Sequence, residues 1–198
     1  MARRSLVIFL HGIGASGAQL MPLASAWRGS LPDTVFAAPD APFHRSYGHE
    51  WFRVDGALLD PRRLQAARDA FDKTIEDVLE RQGFARSDTG IAFVGVSQGA
   101  IVALDAVASG RWPVAALVSF AGLLAPGRIS SDSKQTSILL VHGTDDRTIP
   151  SVASTSAADR LRSAGFKVEL HLEPGVGHTI STTGAQLALG FLRQTLPR

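Results

Sequence analysis

Short runs of β-branched and other apolar residues alternate along this chain with longer stretches in which apolar positions recur every three to four residues. The short runs predict strands over 6–10, 35–38, 91–96, 115–120, 138–141 and 168–172. The longer stretches predict helices over 18–28, 61–82, 98–109, 151–164 and 182–195. The second helix is the clearest. Leu64, Ala67, Phe71, Ile75, Val78 and Leu79 share one face, Pro61 suits its first turn, and Gly83 suits its end. Strands that alternate with helices in this way predict a parallel sheet covered on both faces. The runs 6–10 and 138–141 are apolar throughout, as buried parallel strands should be. The last run differs: Val168, Leu170 and Leu172 alternate with Lys167, Glu169, His171 and Glu173, which predicts an edge strand with one wet face. Between Pro39 and Asp60 no periodicity is visible, and a long loop is expected there.

Two glycine motifs follow strand ends, where an open α/β sheet binds its ligands. Gly12, Gly14 and Gly17 fit G-x-G-x-x-G, with Asp40 at about the offset of a ribose-binding acid. This is one reading, a dinucleotide-binding oxidoreductase. Against it stand His11 directly before the first glycine, Pro22 in the helix that should start there, and the loop setting of Asp40. Gly95, Ser97 and Gly99 fit G-x-S-x-G between a strand and a helix, the setting of a nucleophile elbow. There glycine is a steric requirement, because side chains two residues either side of the serine would collide with the strand and helix around it.

A serine nucleophile needs a base, and the base needs an orienting acid. Two later strand tips offer them in the order this fold uses, with Asp145 and Asp146 after 138–141 and His178 in a glycine loop after 168–172. His11 and His142 each close a buried strand before a glycine and are read as structural hydrogen-bonders beneath the site. His171 is read as solvated, and His44 and His49 as either pocket-lining or surface. No H-E-x-x-H and no cysteine pair is present, so no metal site is expected.

Composition narrows the picture. With 198 residues, 45% apolar and 19% charged, the chain is expected to fold as one domain over 1–198 rather than remain disordered. Its net charge is +2 and its arginines are dispersed, which gives nucleic-acid binding little support. It has no cysteine, which removes disulfides, thiolate metal sites and a thiol nucleophile. The most apolar stretch, near Val114 to Ala125, is too short to span a bilayer. The apolar run from Leu6 to Leu10 is too short for a secretory signal and reads as a buried first strand, so a cytoplasmic protein is expected.

Taken together, Phe-Leu-His-Gly at 9–12, Gly-Val-Ser-Gln-Gly at 95–99, His-Gly-Thr-Asp-Asp-Arg-Thr-Ile-Pro at 142–150 and Gly-Val-Gly-His at 175–178 resemble the phospholipase/carboxylesterase family of α/β-hydrolases. The resemblance implies a single-domain α/β-hydrolase whose mostly parallel central sheet carries helices on both faces. It implies Ser97 as nucleophile, Asp146 as orienting acid, His178 as base, and the backbone N–H groups of Ile13 and Gln98 as oxyanion hole. It implies a serine carboxylesterase, or an acyl-protein thioesterase, lysophospholipase or lactone hydrolase using the same triad. The substrate would be a small-molecule ester or thioester, and no cofactor is implied. Pro39-Asp-Ala-Pro42 and Trp51-Phe52 look like the family's early loop, and Phe43, Tyr47 and Trp51 are expected to wall a small apolar pocket. No insertion is long enough for a cap domain. An open, shallow site is therefore expected, with short or medium acyl chains preferred over palmitoyl.

Overall fold

The computed structural model of the protein describes residues 5–54, 61–130 and 132–197. In chain order the elements are β1 (Ser5–Leu10), a 3-10 turn (Gly17–Leu20), α1 (Met21–Trp27), β2 (Thr34–Ala37), β3 (Phe43–His44), β4 (His49–Glu50) and α2 (Pro61–Gln82). Then come β5 (Ile91–Val96), α3 (Gln98–Ala108), β6 (Ala116–Phe120), β7 (Ser137–Gly143), α4 (Val152–Ser163), β8 (Lys167–Glu173) and α5 (Thr182–Thr195). Six strands form one sheet in the order β2-β1-β5-β6-β7-β8, and every neighbouring pair is parallel.

Alternate residues of each strand serve opposite faces, and the sheet is covered on both. Leu6, Ile8 and Leu10 of β1 join one apolar core with Phe71 and Ile75 of α2, Val107 of α3 and Leu161 of α4. Val7 and Phe9 join the other with Trp27 of α1 and Phe191 and Leu192 of α5. The predicted parallel, two-faced sheet is therefore what forms. The strand order reverses between β1 and β5, so the two strand ends that carry the glycine motifs lie side by side where an open α/β sheet offers its crevice.

Three local expectations change. The predicted helix over 18–28 is a 3-10 turn followed by α1, and Pro22 lies in the first turn of α1, where its missing N–H costs nothing. The stretch expected as a loop without structure contains the antiparallel pair β3–β4, joined through Gly48 at φ 71; residues 55–60 of that stretch lie outside the described residues. The last strand is an edge, as its alternation predicts, but the pattern breaks at its end. Leu172 is exposed and Glu173 is buried, because the Glu173 carboxylate accepts a 2.6 Å hydrogen bond from Ser181 Oγ, the N-cap of α5. That bond draws the chain after β8 back over the sheet.

The glycines of the elbow are fixed by contact. A Cβ on Gly95 would lie 2.6 Å from the Ala100 backbone, and one on Gly99 would lie 2.1 Å from the Leu10 carbonyl oxygen. Backbone cannot step aside as a side-chain tip can. Gly99→Ala is therefore expected to lose more than about 4 kcal/mol of stability or fail to fold. Gly190→Ala, in open space on α5, is expected to gain about 0.5–1 kcal/mol. Urea unfolding of the two variants side by side checks this, and similar stabilities would contradict it.

Candidate active site

Ser97 joins β5 to α3 at φ 53 and ψ −118, one of two non-glycine residues with positive φ among those described. Such a conformation costs about 1–3 kcal/mol and persists only where the surroundings enforce it. Here the Ser97 N–H donates to the Phe120 carbonyl at 2.9 Å, while the glycines on either side let β5, α3 and β1 close around the turn. The consequence is a hydroxyl raised above the sheet edge at the first turn of a helix whose dipole favours negative charge.

His178 meets it from the loop after β8. Its Nε2 is 2.9 Å from Ser97 Oγ, and its Nδ1 is 2.6 Å from Asp146 Oδ2. Asp146 Oδ1 accepts from the amides of Thr148 and Ile149 at 2.8 and 2.9 Å. Burial alone would raise the Asp146 pKa, but the bond from His178 and the two amide bonds outweigh it and hold the carboxyl below its ordinary value. An ionised Asp146 accepts only, so Nδ1 of His178 carries the proton and Nε2 presents its lone pair to the serine, a tautomer assigned from this network. Of the two adjacent acids, Asp146 is the one turned to His178. Asp145 is exposed and accepts from Thr144 Oγ1.

The loops that carry the acid and the histidine are stitched together. Thr144 N–H donates to the Glu173 carbonyl, Asp145 N–H to the Val176 carbonyl, and Gly175 N–H to Thr144 Oγ1. Gly143 permits this, since a Cβ there would lie 2.0 Å from the Val176 carbonyl oxygen. Beneath them His142 is buried as expected. Its Nε2 lies 2.8 Å from the Ile149 carbonyl and 3.2 Å from Asp146 Oδ2, and its Nδ1 lies 2.7 Å from Ser154 Oγ.

The glycine cluster after β1 faces the serine. A Cβ on Gly12 would lie 3.4 Å from Ser97 Cβ. The Gly14 amide donates to the His49 carbonyl and the Ala15 amide to the Gly12 carbonyl, leaving the amides of Ile13 and Gln98 without a partner among the described residues. Both belong to segments that border Ser97. The dinucleotide reading fails on the same contacts. The Asp40 carboxylate accepts from Gly17 N–H at 2.8 Å, and a Cβ on Gly17 would strike the Ala38 carbonyl at 2.0 Å. Gly17 is thus packed against its own chain, and the acid expected to read a ribose caps the turn.

His11 holds this loop from below. Its Nε2 accepts from Ala41 N–H at 2.9 Å, so its Nδ1 carries the proton toward the Gly12 carbonyl at 2.7 Å, and its own carbonyl accepts from Trp51 Nε1 at 2.8 Å. The Gln98 side chain completes the anchor. Its oxygen accepts from Trp51 N–H and its nitrogen donates to the Phe52 carbonyl, both at 2.7 Å. Nothing in the sequence pattern singles out this carboxamide, whose role emerges only when β4 is brought against α3.

Beside Ser97 opens an apolar cavity of about 600 Å³ between α2 and α3, its walls including Phe52, Leu64, Phe71, Ile101, Leu123 and Ile149. The pocket residues expected from the sequence are elsewhere. Tyr47 is exposed on the β3–β4 turn, Phe43 belongs to β3 and does not line the cavity, and Trp51 is fully buried. The expectation of a shallow site also fails. The apolar face of α2 explains both differences: its last turns pack on the sheet, Leu64 and Ala67 front the cavity, and Phe71 serves both. Periodicity cannot tell a face that meets a sheet from one that meets a hollow. Among the described residues no group of three or more His, Asp or Glu side chains is placed to hold a metal ion, and no helix is long and apolar enough to cross a membrane.

A parallel sheet whose strained serine turn is met by a histidine and an acid from later strand tips defines an α/β-hydrolase. The family model for phospholipase/carboxylesterase matches residues 1–196, and the chain belongs to that family. It is similar to "Esterase YpfH" of Escherichia coli, with 28% identity over 199 residues covering 98% of this chain and 84% of that protein. It is also similar to "Acyl-protein thioesterase 1" of Neurospora crassa, with 23% identity over 217 residues covering 97% and 87%. Among solved structures, that of esterase PE8 superposes with a TM-score of 0.82 at 33% identity, covering 98% of this chain and 94% of that one.

The anchoring role of His11 has a pH signature. Burial outweighs the Gly12 bond and the Asp40 charge, and lowers its pKa below the ordinary 6.5. A group with a depressed histidine pKa favours folding above the unfolded value and loses that contribution as pH falls through it. Stability is therefore expected to drop between about pH 7.5 and pH 5.5. In His11→Gln, whose amide oxygen can accept from Ala41 N–H at either pH, the drop should shrink. Urea unfolding at both pH values checks this, and an equal drop in both proteins would contradict it.

Proposed function

We propose that Ser97, His178 and Asp146 are the catalytic triad with which this serine ester hydrolase cleaves carboxylic esters. What carries the reading is the unbroken line of hydrogen bonds from Asp146 through His178 to Ser97. His178 Nε2 takes the hydroxyl proton as Ser97 Oγ attacks the acyl carbonyl. The tetrahedral oxyanion is held by the Ile13 and Gln98 amides, where losing one such donor typically costs about 3 kcal/mol. His178 then gives its proton to the leaving alkoxide, and an ester of Ser97 remains. A water, deprotonated by His178, attacks that ester and releases the acid. Asp146 keeps the imidazole in the required tautomer and stabilises its cation. A thioester follows the same steps with a thiolate as leaving group.

Kinetics on p-nitrophenyl butyrate test these roles. Ser97→Ala and His178→Ala should each lose several orders of magnitude in kcat with the fold intact, since the triad acts as a unit. Asp146→Asn should lose up to about 10⁴ because the imidazole loses its orienting charge. Asp145→Asn, at an exposed side chain, should lose less than about tenfold. Thermal melts exclude unfolding. Retention of more than a few per cent of activity by Ser97→Ala, or a crippled Asp145→Asn beside a normal Asp146→Asn, would overturn the assignment.

A further inference from the structure

The cavity beside Ser97 has a direction and an end. On α3 the residues that line it are Gln98, Ile101, Val102 and Asp105, so it follows that helix for two turns. The eight residue steps from Ser97 to Asp105 advance about 12 Å along the axis. At the Asp105 end the walls stop being apolar. Asp105 takes a two-pronged bond from Arg68 of α2, with Nη2 at 2.6 Å from Oδ1 and Nε at 2.8 Å from Oδ2. Its Oδ2 also accepts from Arg111 Nη2 at 3.0 Å. Arg111 is bonded in turn to Asp72, which accepts from Trp112 Nε1. Two cations face two carboxylates in this group, so it presents no free charge to an anionic ligand. A hydrocarbon end pressed onto it would strip water from partly hydrated ion pairs without replacing it, which is unfavourable.

The cavity lies on the acyl side of the serine. The leaving oxygen must receive its proton from His178 Nε2 and therefore departs toward the loop after β8. His178 does not line the cavity, whose walls come from Ser97, α2, α3 and the segments after β1, β4, α3, β6 and β7.

Resting on the triad reading above, we propose that the enzyme is selective for acyl chains of medium length. The chain lies between α2 and α3, and its methyl end is stopped by the Arg68–Asp105–Arg111 ion pairs. With each carbon–carbon bond advancing about 1.3 Å, about 12 Å accommodates roughly eight to ten carbons.

The test is kcat/KM across p-nitrophenyl acetate, butyrate, octanoate, decanoate and palmitate, with a second series of acetate esters of alcohols of the same lengths. In the acyl series each added methylene should raise kcat/KM about two- to fourfold up to octanoate or decanoate, and palmitate should fall at least about tenfold below the maximum. The doubly substituted Arg68→Leu, Asp105→Leu enzyme should move the optimum toward palmitate. Should that variant fail to fold, Ile101→Trp decides, because a ring across the groove should move the optimum to acetate or butyrate. A profile flat to palmitate, an optimum unmoved in whichever variant folds, or length selection in the alcohol series alone would each overturn the proposal. No hydrolysis of any ester would instead overturn the triad reading on which it rests.

Discussion

At Ser97 the backbone is held at φ 53, a conformation that a serine does not choose for itself. Three segments must come within van der Waals contact to impose it. The end of β1 lies against Gly99, the start of α3 lies against Gly95, and the end of β6 takes the Ser97 amide. A side chain at either glycine would open the turn and let the serine relax to ordinary φ. The two apolar cores keep these segments pressed together, with β1 and β5 contributing alternate residues to both faces of the sheet. The stability of the fold is what keeps one hydroxyl in a strained place.

Around that hydroxyl, buried polar groups do the positioning. His11, just before the glycine loop after β1, bonds to the Ala41 amide and the Trp51 ring nitrogen, and Gln98 ties the start of α3 to the backbone at Trp51 and Phe52, so the Ile13 amide and the apolar cavity wall are set by one network. On the other side Asp146, His142 and the amides of Thr148 and Ile149 form a second network, which aims His178. Each buried donor or acceptor is worth little as a bond but costly if left unpaired. Both networks therefore resist partial rearrangement. Glu173 belongs to the same logic. Its bond to Ser181 folds the chain back after β8 and sets where the His178 loop begins and ends.

How much of this was legible in the sequence differs by level. The sheet, its helices and the edge position of β8 follow from apolar periodicity, which is a local property. The elbow and its partners are legible because G-x-S-x-G states a steric requirement in the sequence itself, and because the acid and base fall at successive strand tips. The choice of Asp146 over Asp145 came from resemblance, and the bond to His178 accords with it. What could not be read depends on contacts between distant segments. Trp51 reads as a pocket aromatic, yet its ring nitrogen bonds to the His11 carbonyl and the ring is buried. Leu64 reads as core, yet it fronts the cavity, and Phe71 serves both the core and the cavity wall. The G-x-G-x-x-G match reads as a phosphate cradle, yet Gly17 is packed on Ala38 and Asp40 caps its amide.

The account turns on a covalent ester at Ser97, and trapping it is the most direct test. Mixing the enzyme with p-nitrophenyl acetate, quenching in acid within the first turnover and sequencing the peptides by mass spectrometry locates the acyl group. The account requires a burst of p-nitrophenol matched by acetyl on the Ser97 peptide, and no such adduct in Ser97→Ala. Turnover without an acyl-enzyme, or acetyl carried by a different side chain during turnover, would contradict it.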